Sequence, residues 1–80
     1  MSIMGFIVHT LPESCAEIEK SMSNMAGITT YGIHHDCYIV AVAEAPSSEL
    51  EATINTIKQI ENVLTCYVTS LDKDPESETD

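Results

Sequence analysis

Residues 3–26 read Ile-Met-Gly-Phe-Ile-Val-His-Thr-Leu-Pro-Glu-Ser-Cys-Ala-Glu-Ile-Glu-Lys-Ser-Met-Ser-Asn-Met-Ala, and the spacing of the apolar residues changes within this stretch. The first part, residues 3–10, is a short apolar run rich in β-forming residues, which is typical of a strand. From residue 13 onward the apolar positions recur at intervals of three and four and predict an amphipathic helix over residues 13–26. These positions are Cys15, Ile18, Met22 and Met25. The chain therefore opens with a strand followed by a helix.

The rest of the predicted domain contains two strands, a second helix and a last strand. Residues 28–33 and 37–44 are β-rich and are joined by His34-His35-Asp36, which predicts a hairpin. Ser48 and Glu51 match a capping box, and the helix that follows carries Leu50, Ile54, Ile57 and Ile60 on one face. Residues 63–71 alternate as a last strand. We expect a domain over residues 1–72 and a disordered acidic tail over residues 73–80.

The order strand, helix, strand, strand, helix, strand predicts an α+β fold. Two helices with single apolar stripes can cover only one face of a four-stranded sheet. The ferredoxin-like split β-α-β arrangement, βαββαβ with both helices on one face of an antiparallel sheet, satisfies this and keeps its crossovers right-handed. The sequence therefore predicts a sheet with one uncovered face.

Alternation along strands one, three and four predicts which residues lie on the uncovered face: Gly5, Ile7, His9, Ile39, Ala41, Ala43, Thr65, Tyr67 and Thr69. This set is less polar than a solvated sheet face normally is. Exposed apolar patches usually mark interaction surfaces, so we interpret the face as a binding site. Packing of two such sheets into a dimer is the other interpretation of the same pattern.

Composition limits the possible partners. The chain has 80 residues, enough for one domain, with 13 acidic residues, 3 lysines and no arginine. A basic face that could neutralise phosphates cannot be built from these residues, which excludes nucleic-acid binding and disfavours an anionic membrane surface. A basic partner would be attracted, although acidity also simply keeps a small domain soluble.

The sequence favours a cytoplasmic location. No stretch approaches the length of a membrane helix, and the first residues lack the basic region and cleavage pattern of a secretory signal. The three cysteines, Cys15, Cys37 and Cys66, are an odd number without a Cys-x-x-Cys pair, so we expect reduced thiols rather than a disulfide framework.

No set of residues points to catalysis, a metal or a cofactor. His34, His35, Asp36 and Cys37 form the one suggestive cluster, but a structural zinc site needs four ligands and a polar hairpin tip explains the cluster as well. Cys15 lies on the inner stripe of a helix, and no Gly-x-Ser-x-Gly or phosphate-binding loop is present. We therefore predict a protein that is not an enzyme and that binds neither metal nor cofactor.

Three segments resemble a known family. Residues 2–13, Ser-Ile-Met-Gly-Phe-Ile-Val-His-Thr-Leu-Pro-Glu, are similar to the start of NapD proteins, in which a strand ending in Val-His precedes a Pro-Glu helix start. Residues 60–65, Ile-Glu-Asn-Val-Leu-Thr, resemble the family's Gly-Val-Leu-Ser approach to the last strand, with Asn62 in place of the usual glycine. Residues 43–45, before the second helix, also fit. The resemblance extends over about residues 2–72, as the order of these matched segments indicates.

The resemblance implies a cytoplasmic chaperone for the catalytic subunit of periplasmic nitrate reductase. Such a protein binds the subunit's twin-arginine signal peptide as a helix on the open sheet face and delays export until the molybdenum cofactor is inserted. We expect Ile7, Ile39, Ala41 and Tyr67 to receive the apolar stripe of that helix, with Tyr67 as an anchor and Gly5, Ala41 and Ala43 permitting close approach. Glu44 and Asp72 are candidates to meet the arginines, and the protein is expected to be a monomer or weak dimer.

A second class of function is compatible with the same elements. The strand–Gly-x-x-x-Asp–strand pattern from Gly32 to Asp36 resembles the effector domain of the leucine-responsive regulator family, which oligomerises and senses ligands between subunits. The two interpretations differ in oligomeric state, since the sensing module requires a dimer or larger assembly. A metallochaperone of the same fold is disfavoured by the absence of Cys-x-x-Cys, and an acylphosphatase-like enzyme by the absence of arginine.

Overall fold

A computed structural model describes residues 2–72 of the chain. Its strands are β1 (Ser2–Thr10), β2 (Ile28–His34), β3 (Tyr38–Ala45) and β4 (Val63–Asp72), and its helices are α1 (Cys15–Ser23) and α2 (Ser47–Lys58). The strands form one antiparallel sheet in the order β2-β3-β1-β4. This is the predicted ferredoxin-like arrangement, and the fold prediction is confirmed. The predicted tail, residues 73–80, lies outside the described residues.

The core lies between the two helices and one face of the sheet. α1 contributes Cys15, Ile18 and Met22, and α2 contributes Leu50, Ile54 and Ile57. On the sheet, Phe6 is fully buried at the centre and stands opposite Ala41 of β3. This pairing of a large with a small side chain lets the helices pack close to the sheet without leaving a void.

Both helices differ in their bounds from the prediction. A single 3₁₀ turn, Pro12–Ser14, precedes α1, which ends at Ser23 rather than at residue 26. α2 begins at Ser47 after Pro46 and has no side-chain cap, so the predicted capping box at Ser48 is wrong. Proline fixes its own φ near the value that a helix start requires, so Pro46 defines the boundary of α2.

The turns rely on left-handed backbone conformations. His35 and Asp36 have φ of 55° and 61°, and the Cys37 N–H donates to the His34 carbonyl at 3.3 Å, which closes the predicted hairpin. Positive φ at both central residues is the backbone form whose twist matches that of the adjoining strands. Asn62, before β4, has φ of 73°. None of the helices within residues 2–72 is long and apolar enough to cross a membrane.

Candidate functional site: the open sheet face

The sheet face opposite the helices is uncovered, and the strand register defines its residues. On β1 the residues that alternate with the buried Met4, Phe6 and Val8 point away from the helices. Their cross-strand partners on β3 and β4 share that face. We call this set the open face: Ile3, Gly5, Ile7, His9, Tyr38, Val40, Val42, Glu44, Thr65, Tyr67, Ser70 and Asp72.

The middle of the open face is apolar. Ile7 lies at its centre, between Val40 on one side and Tyr67 on the other. Tyr67 is 52% exposed although it is a large aromatic residue, and Ile3 is 44% exposed. Ile7 and Val40 are half-buried, so part of the apolar surface at the centre of the face is accessible in the free protein.

One end of the open face is aromatic. The rings of His9 and Tyr38 are stacked with centroids 4.6 Å apart and an angle of 18° between their planes. The ring of His35, from the hairpin turn, meets Tyr38 edge-on at 6.4 Å. Thr65 of β4 completes this row beside His9. This end is therefore a flat, half-buried platform without a carboxylate among its members.

The other end is acidic. Ile3 pairs with Glu44 of β3 and with Asp72 of β4, so an exposed carboxylate flanks it on each side. Both positions were proposed from the sequence as partners for arginine, and the register places them in one row. The open face thus changes along β1 from carboxylates through an apolar centre to an aromatic end.

A bulge in β4 shapes the face beside Gly5. The register shifts between Gly5 and Phe6, so that Val68 pairs with Phe6 and Ser70 with Gly5, leaving Thr69 without a partner. A Cβ atom at Gly5 would lie 2.6 Å from Ser70 Oγ and 3.1 Å from Thr69 Oγ1. The space above Gly5 is therefore already filled by two hydroxyl groups, which a side chain at this position would have to displace.

The predicted facing of β3 is wrong. Ile39, Ala41 and Ala43 were expected on the open face, but they are 0%, 1% and 2% exposed and pack in the core beneath the helices. Their neighbours Tyr38, Val40 and Val42 occupy the open face instead. A shift of one residue moves every side chain of a strand to the opposite face, and β3 is apolar at almost every position, so its composition does not fix the facing.

The remaining predicted residues fall on the open face. Gly5, Ile7, His9, Thr65 and Tyr67 lie in its rows, and Thr69 lies in the bulge with its hydroxyl group against Gly5. Sequence reasoning missed Ile3, Tyr38, Val40, Val42 and Ser70. Alternation along β1 could have identified Ile3, which precedes Gly5 by two residues, whereas the β3 residues depend on the register.

The thiols are not arranged for chemistry. The three cysteines are free, with Cys15 and Cys66 buried and Cys37 half-buried. Burial raises the pKa of the Cys66 thiol, and the charge of Lys58 partly opposes that shift. Such a thiol is a poor nucleophile at neutral pH. Among residues 2–72, no group of three or more His, Cys, Asp or Glu side chains is placed to hold a metal ion.

These features define a class of protein: a ferredoxin-like domain whose uncovered sheet face has an apolar centre and one acidic end. Comparison with known proteins gives the particular family. The NapD protein family model matches residues 1–70, and the chain belongs to the NapD family.

A solved structure is similar in fold. The solution structure of the E. coli Tat proofreading chaperone protein NapD superposes with a TM-score of 0.78 at 18% sequence identity. The match covers 92% of this chain and 80% of the E. coli chain. A search of curated proteins found no match.

Proposed function

We propose that this protein is a cytoplasmic export chaperone, without enzymatic activity, that binds a twin-arginine signal peptide on the open face. The cargo would be the catalytic subunit of periplasmic nitrate reductase, with export delayed until the molybdenum cofactor is inserted. Membership of the NapD family and the likeness to the E. coli Tat proofreading chaperone support this role.

The observation that carries the proposal is the uncovered apolar centre of the sheet. From Ile3 to His9 the open face extends about 20 Å, at roughly 3.3 Å per residue. A helix of about 13 residues has the same length, and the apolar region of an export signal is about 7–15 residues long. Such a helix could place one apolar stripe along Ile3, Ile7 and Tyr67 as in other helix-in-groove complexes.

The charge of the protein suits a basic ligand. A formal net charge of −10 produces a negative potential that draws a di-arginine segment towards the domain. This effect mainly accelerates association, whereas the apolar contacts determine how long the complex lasts. Bound peptide would be withheld from the export machinery for that time.

Calorimetric titration with a synthetic nitrate reductase signal peptide tests the proposal, with a twin-lysine version of the peptide as a control. We expect tight binding of the first peptide and clearly weaker binding of the second, because arginine makes bidentate contacts with carboxylates that lysine cannot make. Failure of both peptides to bind, together with a dimer in solution, would instead favour the ligand-sensing module.

A pair of adjacent substitutions locates the binding surface. Tyr67→Ala should weaken binding about tenfold or more, since a central tyrosine contributes about 2 kcal/mol in many interfaces. Val68→Ala is the matched control, because Val68 is also 52% exposed but pairs with Phe6 on the helix side of the sheet. Equal affinities for Tyr67→Ala and the unmodified protein would refute binding at the open face.

A further inference from the structure

We infer that the open face binds its peptide in one direction, with the cationic end at the Ile3 row between Glu44 and Asp72 and the apolar segment extending towards His9 and Tyr38. This inference rests on the proposed function and adds a polarity to it. It follows from the distribution of charge along β1, which the register makes visible.

The carboxylates of the open face are confined to one end. Within residues 2–72, Glu44 and Asp72 are the acidic side chains in its rows. Apart from Asp36 in the β2–β3 turn, the others belong to the helices and their flanking turns on the opposite side of the sheet. Asp36, although close in sequence to the aromatic end, lines a depression with Cys15 and Ile33 on the helix side. Glu19 of α1 accepts a hydrogen bond from Thr30 at 2.9 Å and is likewise on that side.

The aromatic end is a poor site for a cation pair. His9, Tyr38 and Thr65 form its row, and His35 contacts Tyr38 from the turn. The two lysines of the described residues, Lys20 and Lys58, lie on the helices and do not neutralise Glu44 or Asp72.

The spacing of the two carboxylates suits adjacent cations. Glu44 and Asp72 lie on the strands either side of β1, so their backbones are about 10 Å apart at roughly 4.8 Å per strand. Successive residues of a helix point about 100° apart, because a turn contains about 3.6 residues. Two consecutive arginines on a helix lying above β1 would therefore reach to opposite sides, one towards β3 and one towards β4.

Nitroxide labels on the peptide test the direction. The probe is a synthetic peptide with two consecutive arginines followed by an apolar segment, labelled either beside the arginines or at the far end. We expect the first label to broaden the amide signals of Ile3, Glu44 and Leu71, and the second to broaden those of His9, Tyr38 and Thr65. The reverse pattern, or equal broadening at both ends, would overturn the polarity alone, whereas absence of binding would overturn the proposed function with it.

Charge-neutral variants provide an independent test. Glu44→Gln combined with Asp72→Asn should weaken binding of the twin-arginine peptide about three- to tenfold at low salt, since an exposed ion pair contributes a factor of roughly two to five. A peptide with two glutamines in place of the arginines should bind both proteins equally. The control, Glu51→Gln with Glu61→Gln, removes the same charge from the helix side and should change affinity less than about twofold. Equal losses in the two double variants would contradict the inference.

Discussion

At the scale of single residues, Asn62 holds a left-handed backbone conformation that glycine adopts more readily than other residues. The residue adopts φ of 73°, donates from Nδ2 to Ser14 Oγ at 2.8 Å, and accepts the Leu11 N–H at its carbonyl at 3.0 Å. It thereby ties the start of β4 to the turn before α1. Asparagine tolerates the left-handed region better than other residues with a side chain, which explains why it can replace glycine here.

Substitutions of Asn62 separate the contributions of its backbone conformation and of its side-chain hydrogen bond to the free energy of unfolding. Asn62→Ala should lower the free energy of unfolding by about 1 kcal/mol, because alanine is strained at positive φ and cannot donate to Ser14. Asn62→Gly should stay within about 0.5 kcal/mol of the unmodified protein, since glycine relieves the strain as the hydrogen bond is lost. Urea denaturation measures both. Asn24→Ala, at the end of α1 with φ of −88°, is the control and should change stability little.

Cys66 makes stability depend on alkaline pH. Burial raises the pKa of its thiol in the folded state, so the folded protein holds this proton more tightly than the unfolded chain does. The contribution of the protonated thiol to the free energy of unfolding is complete below the ordinary thiol pKa of about 8.5. It is lost as the pH rises from there through the pKa of the folded state. Denaturation between pH 7 and 10 should show this decline. The decline should be smaller in Cys66→Val, which has no thiol at this buried position.

At the scale of elements, β3 marks the limit of what alternation predicts. The strands β1 and β4 contain glycine, histidine and threonine residues whose spacing indicates one face, and most of their assignments hold. In β3 the run from Tyr38 to Ala43 has no polar residue, so both facings satisfy the pattern. Only pairing with β1, which places Ala41 opposite Phe6, decides between them.

Bulges are a second reason why the site was only partly predictable. The register of β4 shifts twice along β1, and that of β2 shifts once along β3 between Thr30 and Ile33. An extra residue in one strand changes the facing of everything beyond it. Most of the residues that β1 contributes to the face could be predicted from sequence, but the alignment of Ser70 and Asp72 with Gly5 and Ile3 could not, since it depends on the bulge at Thr69.

Adjacent alanine substitutions in β3 check its facing. Ile39→Ala should lower the free energy of unfolding by about 3 kcal/mol, as expected for removal of a fully buried aliphatic side chain, without a direct effect on the peptide. Val40→Ala should cost less than about 1 kcal/mol because Val40 is half-buried, but it should weaken peptide binding. Urea denaturation of the two variants measures the change in stability, and calorimetric titration measures the change in peptide affinity. The opposite pattern would restore the facing predicted from sequence.

At the scale of the whole molecule, the net charge should mainly affect the association rate constant of the peptide, whereas Glu44 and Asp72 should mainly affect its dissociation rate constant. Raising salt from about 0.01 M to about 1 M shortens the screening length from roughly 30 Å to 3 Å, so the association rate constant for the peptide should fall about tenfold or more. Stopped-flow fluorescence can follow this. Both double variants lose the same charge and should associate similarly, whereas only Glu44→Gln with Asp72→Asn should dissociate faster.

The exposed edge of the sheet makes the free protein prone to association with other copies. β4 is an edge strand, no lysine, arginine or proline interrupts it between Val63 and Leu71, and four of its apolar side chains are exposed: Leu64, Tyr67, Val68 and Leu71. An unprotected edge strand of this kind can pair with a strand of another molecule. Mutual repulsion between copies carrying a net charge of −10 opposes this pairing. As the pH falls towards the isoelectric point near 4.3, this repulsion weakens, and association of free copies through the β4 edge should increase.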